Sequence, residues 1–268
     1  MLSSKPPKTA AGLARQRELL EREPAKISTE ISPEDGMYVE GQGDHYFHVG
    51  RSALRGIRLA MLAAGKDDCH DILDWGCGHG RVLRTLKAAF PGARLTATDL
   101  VREPADYCAK AFGATPLYSK VRPEDIHIDG RFDLVWCGTM LTNVTPDRFV
   151  GFLKLFTSVL SPGGLLVFTT HGRYVADRLR GGSQEYGLEE KVIRKLLAEF
   201  DREGYGYGDY PAEVLKIAHI ESDYGISVSS PSWVCARLAE LPDLRIVHLQ
   251  ERGWDNHQDI IACLRPAE

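Results

Sequence analysis

No stretch of this 268-residue chain reaches the roughly 18 consecutive apolar residues that a membrane span requires, and the first residues lack the apolar core of a secretory signal. A cytoplasmic protein is expected, with no membrane partner. Cysteine is sparse and scattered: the six, at 69, 77, 108, 137, 235 and 263, form no Cys-x-x-Cys pair, which argues against a zinc ribbon or a disulfide scaffold. Basic excess is also missing, because 33 Lys and Arg face 37 Asp and Glu for a net charge of −4. Such a balance gives no overall attraction to nucleic-acid phosphates or anionic lipid, so no nucleic-acid partner is expected. The basic residues near the N-terminus, Lys5, Lys8, Arg15, Arg17 and Arg22, are interleaved with Glu18, Glu21 and Glu23 and read as a solvated helix. Metal chemistry lacks support as well. His45 and His48 beside Asp44 make only a lone His-x-x-His in a glycine-rich segment, and no carboxylate cluster follows the later strands.

Glycine, in contrast, is concentrated where it has consequences. Residues 71–81 read Asp-Ile-Leu-Asp-Trp-Gly-Cys-Gly-His-Gly-Arg, an apolar strand-like run interrupted by Gly76, Gly78 and Gly80 and followed by a helical pattern. Alternate glycines after a strand let the backbone turn without Cβ clashes and let a ligand lie against peptide atoms. The spacing is Gly-x-Gly-x-Gly rather than the Gly-x-Gly-x-x-Gly that places a pyrophosphate at a helix N-terminus, so the expected cargo is nucleoside-like without a diphosphate. Asp99 closes a second strand 19 residues after the last glycine. An acidic residue at about that distance is placed to accept from both hydroxyls of a ribose.

Around this loop the periods alternate. Strands are expected near 71–75, 94–98, 115–118, 132–137, 164–170, 244–249 and 259–264, and helices near 51–64, 80–90, 103–112, 146–160 and 231–241. That rhythm specifies an α/β protein with a doubly wound, mostly parallel seven-stranded sheet. The last strand follows its predecessor too closely for a crossover and must be antiparallel. Residues 1–50 read as an N-terminal helical and aromatic extension and a possible lid, with a loop over 28–50 carrying Tyr38, Tyr46 and Phe47. Residues 51–268 form the main domain, and the stretch from about 172 to 229, which breaks the alternation, reads as a lid-like insertion after the fifth strand.

Taken together, the glycine loop, Asp99, the strand Phe132-Asp133-Leu134-Val135-Trp136-Cys137 and the run Leu160-Ser161-Pro162-Gly163-Gly164-Leu165-Leu166-Val167 resemble class I S-adenosylmethionine-dependent methyltransferases, a Rossmann-like superfamily. The resemblance implies S-adenosyl-L-methionine as cofactor and S-adenosyl-L-homocysteine as product. It further implies that Asp74 stands near the cofactor's amino group, that Gly76, Cys77, Gly78 and Gly80 run along its methionine and ribose, and that Asp99 holds the ribose with Leu100 against the adenine. Ser119 stands where relatives often carry an acidic residue for the adenine amine, and Cys137 and Gly138 would face the methionyl end. Asn143 occupies a place where relatives often carry histidine.

Acceptor chemistry is sought where the parallel strands end. His171, just past the fifth strand, His257, in the turn between the last two strands, and Tyr224, in the insertion beside His219, Glu221 and Asp223, are the candidate catalytic residues. A polar and aromatic insertion suits transfer of a methyl group to oxygen or nitrogen of a small polar metabolite, such as a sugar or a natural-product intermediate. Three other readings stay open: a catalytically silent cofactor-binding subunit that supports a partner enzyme, a protein or RNA methyltransferase, and a nicotinamide-dependent oxidoreductase.

Overall fold

The computed structural model describes residues 10–217 and 224–267. Strand apolarity explains the architecture. Along the central strands successive side chains alternate between two cores: Ile72, Leu134, Trp136, Leu165, Val167, Ile260 and Ala262 point to one, and Leu73, Trp75, Val135, Cys137, Leu166, Phe168, Ile261 and Cys263 point to the other. A sheet apolar on both faces must be covered on both. On the first face lie α2 (Gly43–Ala64), α3 (Leu83–Ala89) and α4 (Arg102–Phe112); on the second lie α5 (Pro146–Val159) and α9 (Pro231–Ala239). A short α1 (Ala10–Glu21) contacts α2.

The sheet contains β1 (Asp71–Trp75), β2 (Arg94–Asp99), β3 (Thr115–Tyr118), β4 (Phe132–Cys137), β5 (Leu160–Thr170), β8 (Arg245–Trp254) and β9 (Gln258–Leu264). Its order is β3-β2-β1-β4-β5-β9-β8. The pairs among β1 to β5 are parallel, whereas β9 runs antiparallel between β5 and β8, as the short final connection requires. The chain therefore reverses its strand order beside β1, and the crevice outside the ends of β1, β2 and β4 is where such sheets bind ligands.

The largest differences from the expected boundaries are at α2, β5 and β8. Helix α2 begins at Gly43 rather than Arg51, so Tyr46, Phe47 and His48 are helical and not part of a loop. Tyr46 and Val49 bury on the same side as Ala53, Leu54 and Ile57, so the helical period runs through the glycines. Gly50 is needed there, because a Cβ would overlap Thr85 Oγ1 and lie 2.8 Å from the Arg81 carbonyl. Strand β5 starts at Leu160 instead of Gly164, pairing with Phe132 ahead of a register shift, and β8 continues to Trp254, past the expected end at 249. The Ser230 cap followed by Pro231 matches the expected helix start, with the Ser230 hydroxyl accepting from the Trp233 N–H at 3.2 Å.

The stretch after β5 folds on itself. It comprises α6 (Arg173–Arg180), which the sequence reading did not anticipate, α7 (Glu190–Glu203), β6 (Tyr205–Asp209), α8 (Ala212–Ile217) and β7 (Gly225–Ser229), with β6 and β7 forming a separate antiparallel pair. Val175, Leu179, Ile193, Leu196, Phe200, Ile226 and Val228 give it a small core of its own. Strand β7 is tied to the sheet by Ser229 N–H to His171 C=O at 2.8 Å and by Gly225 N–H to Asn143 C=O at 3.2 Å. Gly206 lets α7 lie directly on β6, since a Cβ there would overlap the Leu196 carbonyl. Gly206→Ala should cost about 2 kcal/mol or more, the scale of overpacking against rigid backbone. Limited proteolysis should then cut within 172–229 well before the sheet; an unchanged cleavage pattern and Tm would contradict this packing.

Candidate functional site

A cavity of about 300 Å³ opens where β1, β2 and β4 end. Its floor is the glycine turn. Gly76 and Cys77 donate their N–H groups to Thr98 C=O at 2.8 and 2.9 Å, which closes the β1 end onto β2. Gly76 and Gly78 have φ of +75° and +48°, and a Cβ on Gly78 would meet nothing within 4 Å, so this peptide faces open space. Gly80 behaves differently. It does not line the cavity, and its bare Cα packs against the Phe112 ring and Cys108 Sγ.

Two carboxylates stand beside the turn. Asp74, at the inner end of β1, is 1% exposed, and its Oδ2 accepts no hydrogen bond from any described residue. Burial, with Asp99 nearby, pushes its carboxyl up to about 8. Asp99 ends β2; its Oδ2 accepts from Gly78 N–H at 2.9 Å and its Oδ1 from Val101 N–H at 3.1 Å. Burial also raises the Asp99 carboxyl, and these backbone donors oppose the shift. Beyond these backbone donors, Asp99 retains acceptor capacity toward the cavity, which it lines together with Leu100 and Ser119.

The opposite wall begins at Gly138. After β4 the chain makes a tight turn in which Met140 N–H donates to Gly138 C=O at 2.8 Å around Thr139, whose φ of +68° and ψ of −33° are those of a strained γ-turn. The surroundings over-determine this conformation. Thr139 N–H donates to Thr169 Oγ1 at 2.8 Å, Thr169 Oγ1 donates to Gln258 Oε1 at 2.6 Å, and Gln258 Nε2 donates to Thr139 Oγ1 at 3.3 Å. Asn143 Nδ2, at 2.8 Å, and the Thr142 hydroxyl both donate to the Thr139 carbonyl. Backbone strain persists only where neighbours hold it, and it gathers at functional sites. Cys137, one residue earlier, is fully buried in the core on the α5 side and does not line the cavity, because strand alternation turns it away.

Segments far apart in sequence close the space. The stretch between α1 and α2 contributes Asp35 and Met37, the insertion contributes Tyr224, and the β8–β9 hairpin contributes Trp254. Burial raises the Tyr224 hydroxyl above its ordinary value, so it stays protonated at neutral pH. The remaining insertion candidates, His219, Glu221 and Asp223, fall outside the described residues.

His171 and His257 do not line the cavity. Because β5 continues through Thr170, opposite Asp259, His171 turns under the insertion, where its ring packs against Tyr186 and His257 at centroid distances of 5.4 and 5.7 Å. Burial, and then His257, push His171 down to about 3. His257 Nε2 lies 3.3 Å from the Tyr186 hydroxyl. Both histidines therefore join the insertion to the hairpin. His45, in turn, pairs with Asp255 at 2.9 Å on the surface, and among the described residues no cluster of three or more His, Cys, Asp or Glu could hold a metal ion.

The sequence reading assigned no role to Asp35, Arg81, Thr139 or Trp254. Positive φ at a threonine and contacts spanning some 200 residues leave no local signature.

The orphaned Asp74 carboxyl and the open peptide at Gly78 fit a ligand with a cationic amino group and a nucleoside body. Two consequences follow for pH. A ligand ammonium favours the Asp74 carboxylate, so binding of S-adenosylhomocysteine at pH 7 should expel up to about one proton, and affinity should rise with pH until about 8 and then level. In the free protein the folded state holds a proton that the unfolded chain releases above its ordinary value of 3.8, so stability should fall as pH climbs from 3.8 to about 8. Asp74→Asn should remove both slopes, as calorimetry in buffers of different ionisation enthalpy and a Tm series against pH would show; retention of either slope would rule out Asp74 as its source.

Residues 72–164 match the family model described as a methyltransferase domain. Over 125 residues the chain is 28% identical to a malonyl-[acyl-carrier protein] O-methyltransferase of Acetivibrio thermocellus, an alignment covering 45% of this chain. The chain spans 42% of that relative's length. Among solved structures, an S-adenosylmethionine-dependent methyltransferase from Clostridium acetobutylicum superposes with a TM-score of 0.53 at 15% identity, covering 81% of this chain and 92% of that one. The 1,6-didemethyltoxoflavin-N1-methyltransferase of Burkholderia thailandensis, solved with 1,6-didemethyltoxoflavin and S-adenosylhomocysteine, gives 0.51 at 14% identity, covering 91% and 94%. These likenesses establish the fold, and with the family match, the sheet order and the glycine turn between β1 and α3, they show that the chain carries a class I, S-adenosylmethionine-dependent methyltransferase domain.

Proposed function

We propose that this protein transfers a methyl group to an oxygen or nitrogen of a small polar metabolite. The observation that carries this reading is the convergence, in one cavity, of the Asp74–Gly78–Asp99 floor with the Thr139 turn and the Tyr224 side chain. S-adenosylmethionine, when bound, supplies a methyl group on a sulfonium whose positive charge vanishes during transfer. The protein's task is then alignment of an in-line attack more than charge stabilisation.

The residues present suit that task. Asp74 would take the cofactor's amino group, the Gly76–Gly78 peptides its methionine and ribose, and Asp99 the ribose hydroxyls, while Leu100 and Ser119 would border the adenine. Tyr224 and Thr139 line the same cavity, and their hydroxyls would orient the acceptor's nucleophilic atom. Among the described residues the one imidazole lining the cavity, that of His79, is held by Glu103 at 2.6 Å. The enclosing strap, insertion and hairpin favour a compact acceptor over a polymer. The relatives named above, a malonyl-[acyl-carrier protein] O-methyltransferase and a 1,6-didemethyltoxoflavin-N1-methyltransferase, include both oxygen and nitrogen transfer.

Tyr224→Phe should lower kcat/KM by about tenfold, the scale of one lost hydrogen bond, and change S-adenosylhomocysteine affinity less than about twofold. To test the acceptor class, the protein is incubated with methyl-labelled S-adenosylmethionine and either a metabolite extract or the macromolecular fraction. Label should move into molecules below the cut-off of a dialysis membrane. Label confined to RNA or protein would sink the small-molecule reading, and turnover only after addition of a co-purifying partner would favour the silent-subunit alternative.

A further inference from the structure

The connection that follows β4 carries two loads. Its first residues make the Thr139 turn, whose carbonyl accepts from Thr142 N–H at 2.9 Å, from Asn143 Nδ2 at 2.8 Å and from the Thr142 hydroxyl. Asn143 Nδ2 also donates to Thr142 Oγ1 at 3.0 Å, so both amide hydrogens of this buried side chain are spent on the turn. The carbonyls that come next serve the insertion. Those of Leu141, Asn143 and Val144 accept from the Ser227 hydroxyl at 3.2 Å, from Gly225 N–H at 3.2 Å and from the Tyr205 hydroxyl at 2.7 Å. Gly225 and Ser227 belong to β7 and Tyr205 opens β6, so the antiparallel pair is seated on residues 141–144.

Tyr224, which lines the cavity, immediately precedes β7. Its carbonyl accepts from Tyr210 N–H at 3.2 Å, and the N–H of the same peptide unit, that of Gly225, is the one given to Asn143. A planar peptide bonded at both its oxygen and its nitrogen is fixed in orientation, and with it the direction in which the chain leaves Tyr224. Thr139 needs a comparable hold, because its left-handed conformation persists only while neighbours oppose its relaxation. Asn143 supplies both. Its side chain acts on the turn and its main chain on the insertion, so a displacement of either is passed through a single Cα.

We propose that Asn143 is a positioning residue for methyl transfer, holding the Thr139 turn through its amide and the Tyr224–Gly225 peptide through its carbonyl, so that two cavity-lining residues take their places together. The proposal rests on the reading of the cavity as a site for S-adenosylmethionine. It goes further in linking the turn after β4 to the insertion that contributes Tyr224. A ligand that settles against Thr139 then also restrains β7, and a shift of β7 disturbs Thr139.

The test is hydrogen exchange on the full-length protein, with and without saturating S-adenosylhomocysteine. The reference is the set of amides in α7, a helix of the same insertion that packs on β6. In wild-type protein the ligand should slow exchange of the Gly225 amide at least about fivefold more than exchange in α7, the lower end of ordinary coupling between sites. Asn143→Ala, which deletes the amide and keeps the backbone carbonyl, should bring the two slowing factors within about twofold of each other, while calorimetry shows S-adenosylhomocysteine affinity changed less than about threefold. A merely structural role would speed exchange in the free protein and leave the ligand-dependent difference in place. Equal slowing of Gly225 and α7 in wild-type protein overturns the proposal even if the variant fails to fold. So does a full ligand-dependent difference in a folded Asn143→Ala. Wild-type protein that binds no S-adenosylhomocysteine would defeat the underlying cofactor reading, and this proposal with it.

Discussion

One buried guanidinium, that of Arg84, governs how the cofactor turn is held. It is 1% exposed and reaches five acceptors: Nε donates to Gly80 C=O at 3.0 Å, Nη1 to Ser28 and Glu30 C=O at 3.2 and 2.7 Å, and Nη2 to His79 C=O and the Tyr46 hydroxyl at 3.1 and 3.3 Å. A buried cation demands this degree of satisfaction. The acceptors belong to three segments: the glycine turn, the strap before α2, and α2 itself. The same bonds that place the strap also satisfy its Ser28 and Glu30 carbonyls. Tyr46 extends the network by donating to Asp35, which lines the cavity. Strap and cofactor turn thus form one mechanical unit.

Against that rigid unit the cavity concentrates features that weaken a fold. Asp74 is buried without a described partner for one oxygen, Arg81 has no ion-pair partner among the described residues, and Thr139 holds a left-handed conformation that a side chain resists. Each is unfavourable in the free protein, and Asp74 and Arg81 line the same cavity. The cost is carried by the double-faced core, in which Trp75, Trp136, Phe149, Phe156 and Phe168 are nearly or wholly inaccessible. Large aromatic burial supplies the stability that lets a site remain incompletely satisfied until a ligand arrives.

Local pattern made the sheet legible. Alternation of apolar residues located its seven strands, and the short connection before β9 gave its antiparallel direction. The spacing from Gly80 to Asp99 identified the cavity floor, because those residues act through the turn and strand in which they sit. What escaped reading depends on contacts between distant segments. His171 looked suited to chemistry since it follows β5, but the length of β5 carries it under the insertion, a matter of register with β9 that periodicity does not record. Arg81 resembles any arginine opening a helix until Gly50 and Trp254 enclose it. Thr139 shows no sequence sign of its strain, which arises from Thr169 on β5 and Gln258 on β9. Cys137 and Gly80 belong to the recognised motif, yet strand alternation and packing against Phe112 assign them to the interior.

The insertion's private core separates two evolutionary problems. Its apolar residues are buried mainly against one another, so its loops can drift, lengthen or be exchanged without disturbing the strand registers that hold the glycine turn. Tyr224 stands at the boundary, in the insertion yet lining the cavity. A lineage built on this plan can keep the glycine turn and vary the cavity's other walls by editing a segment that packs largely on its own core.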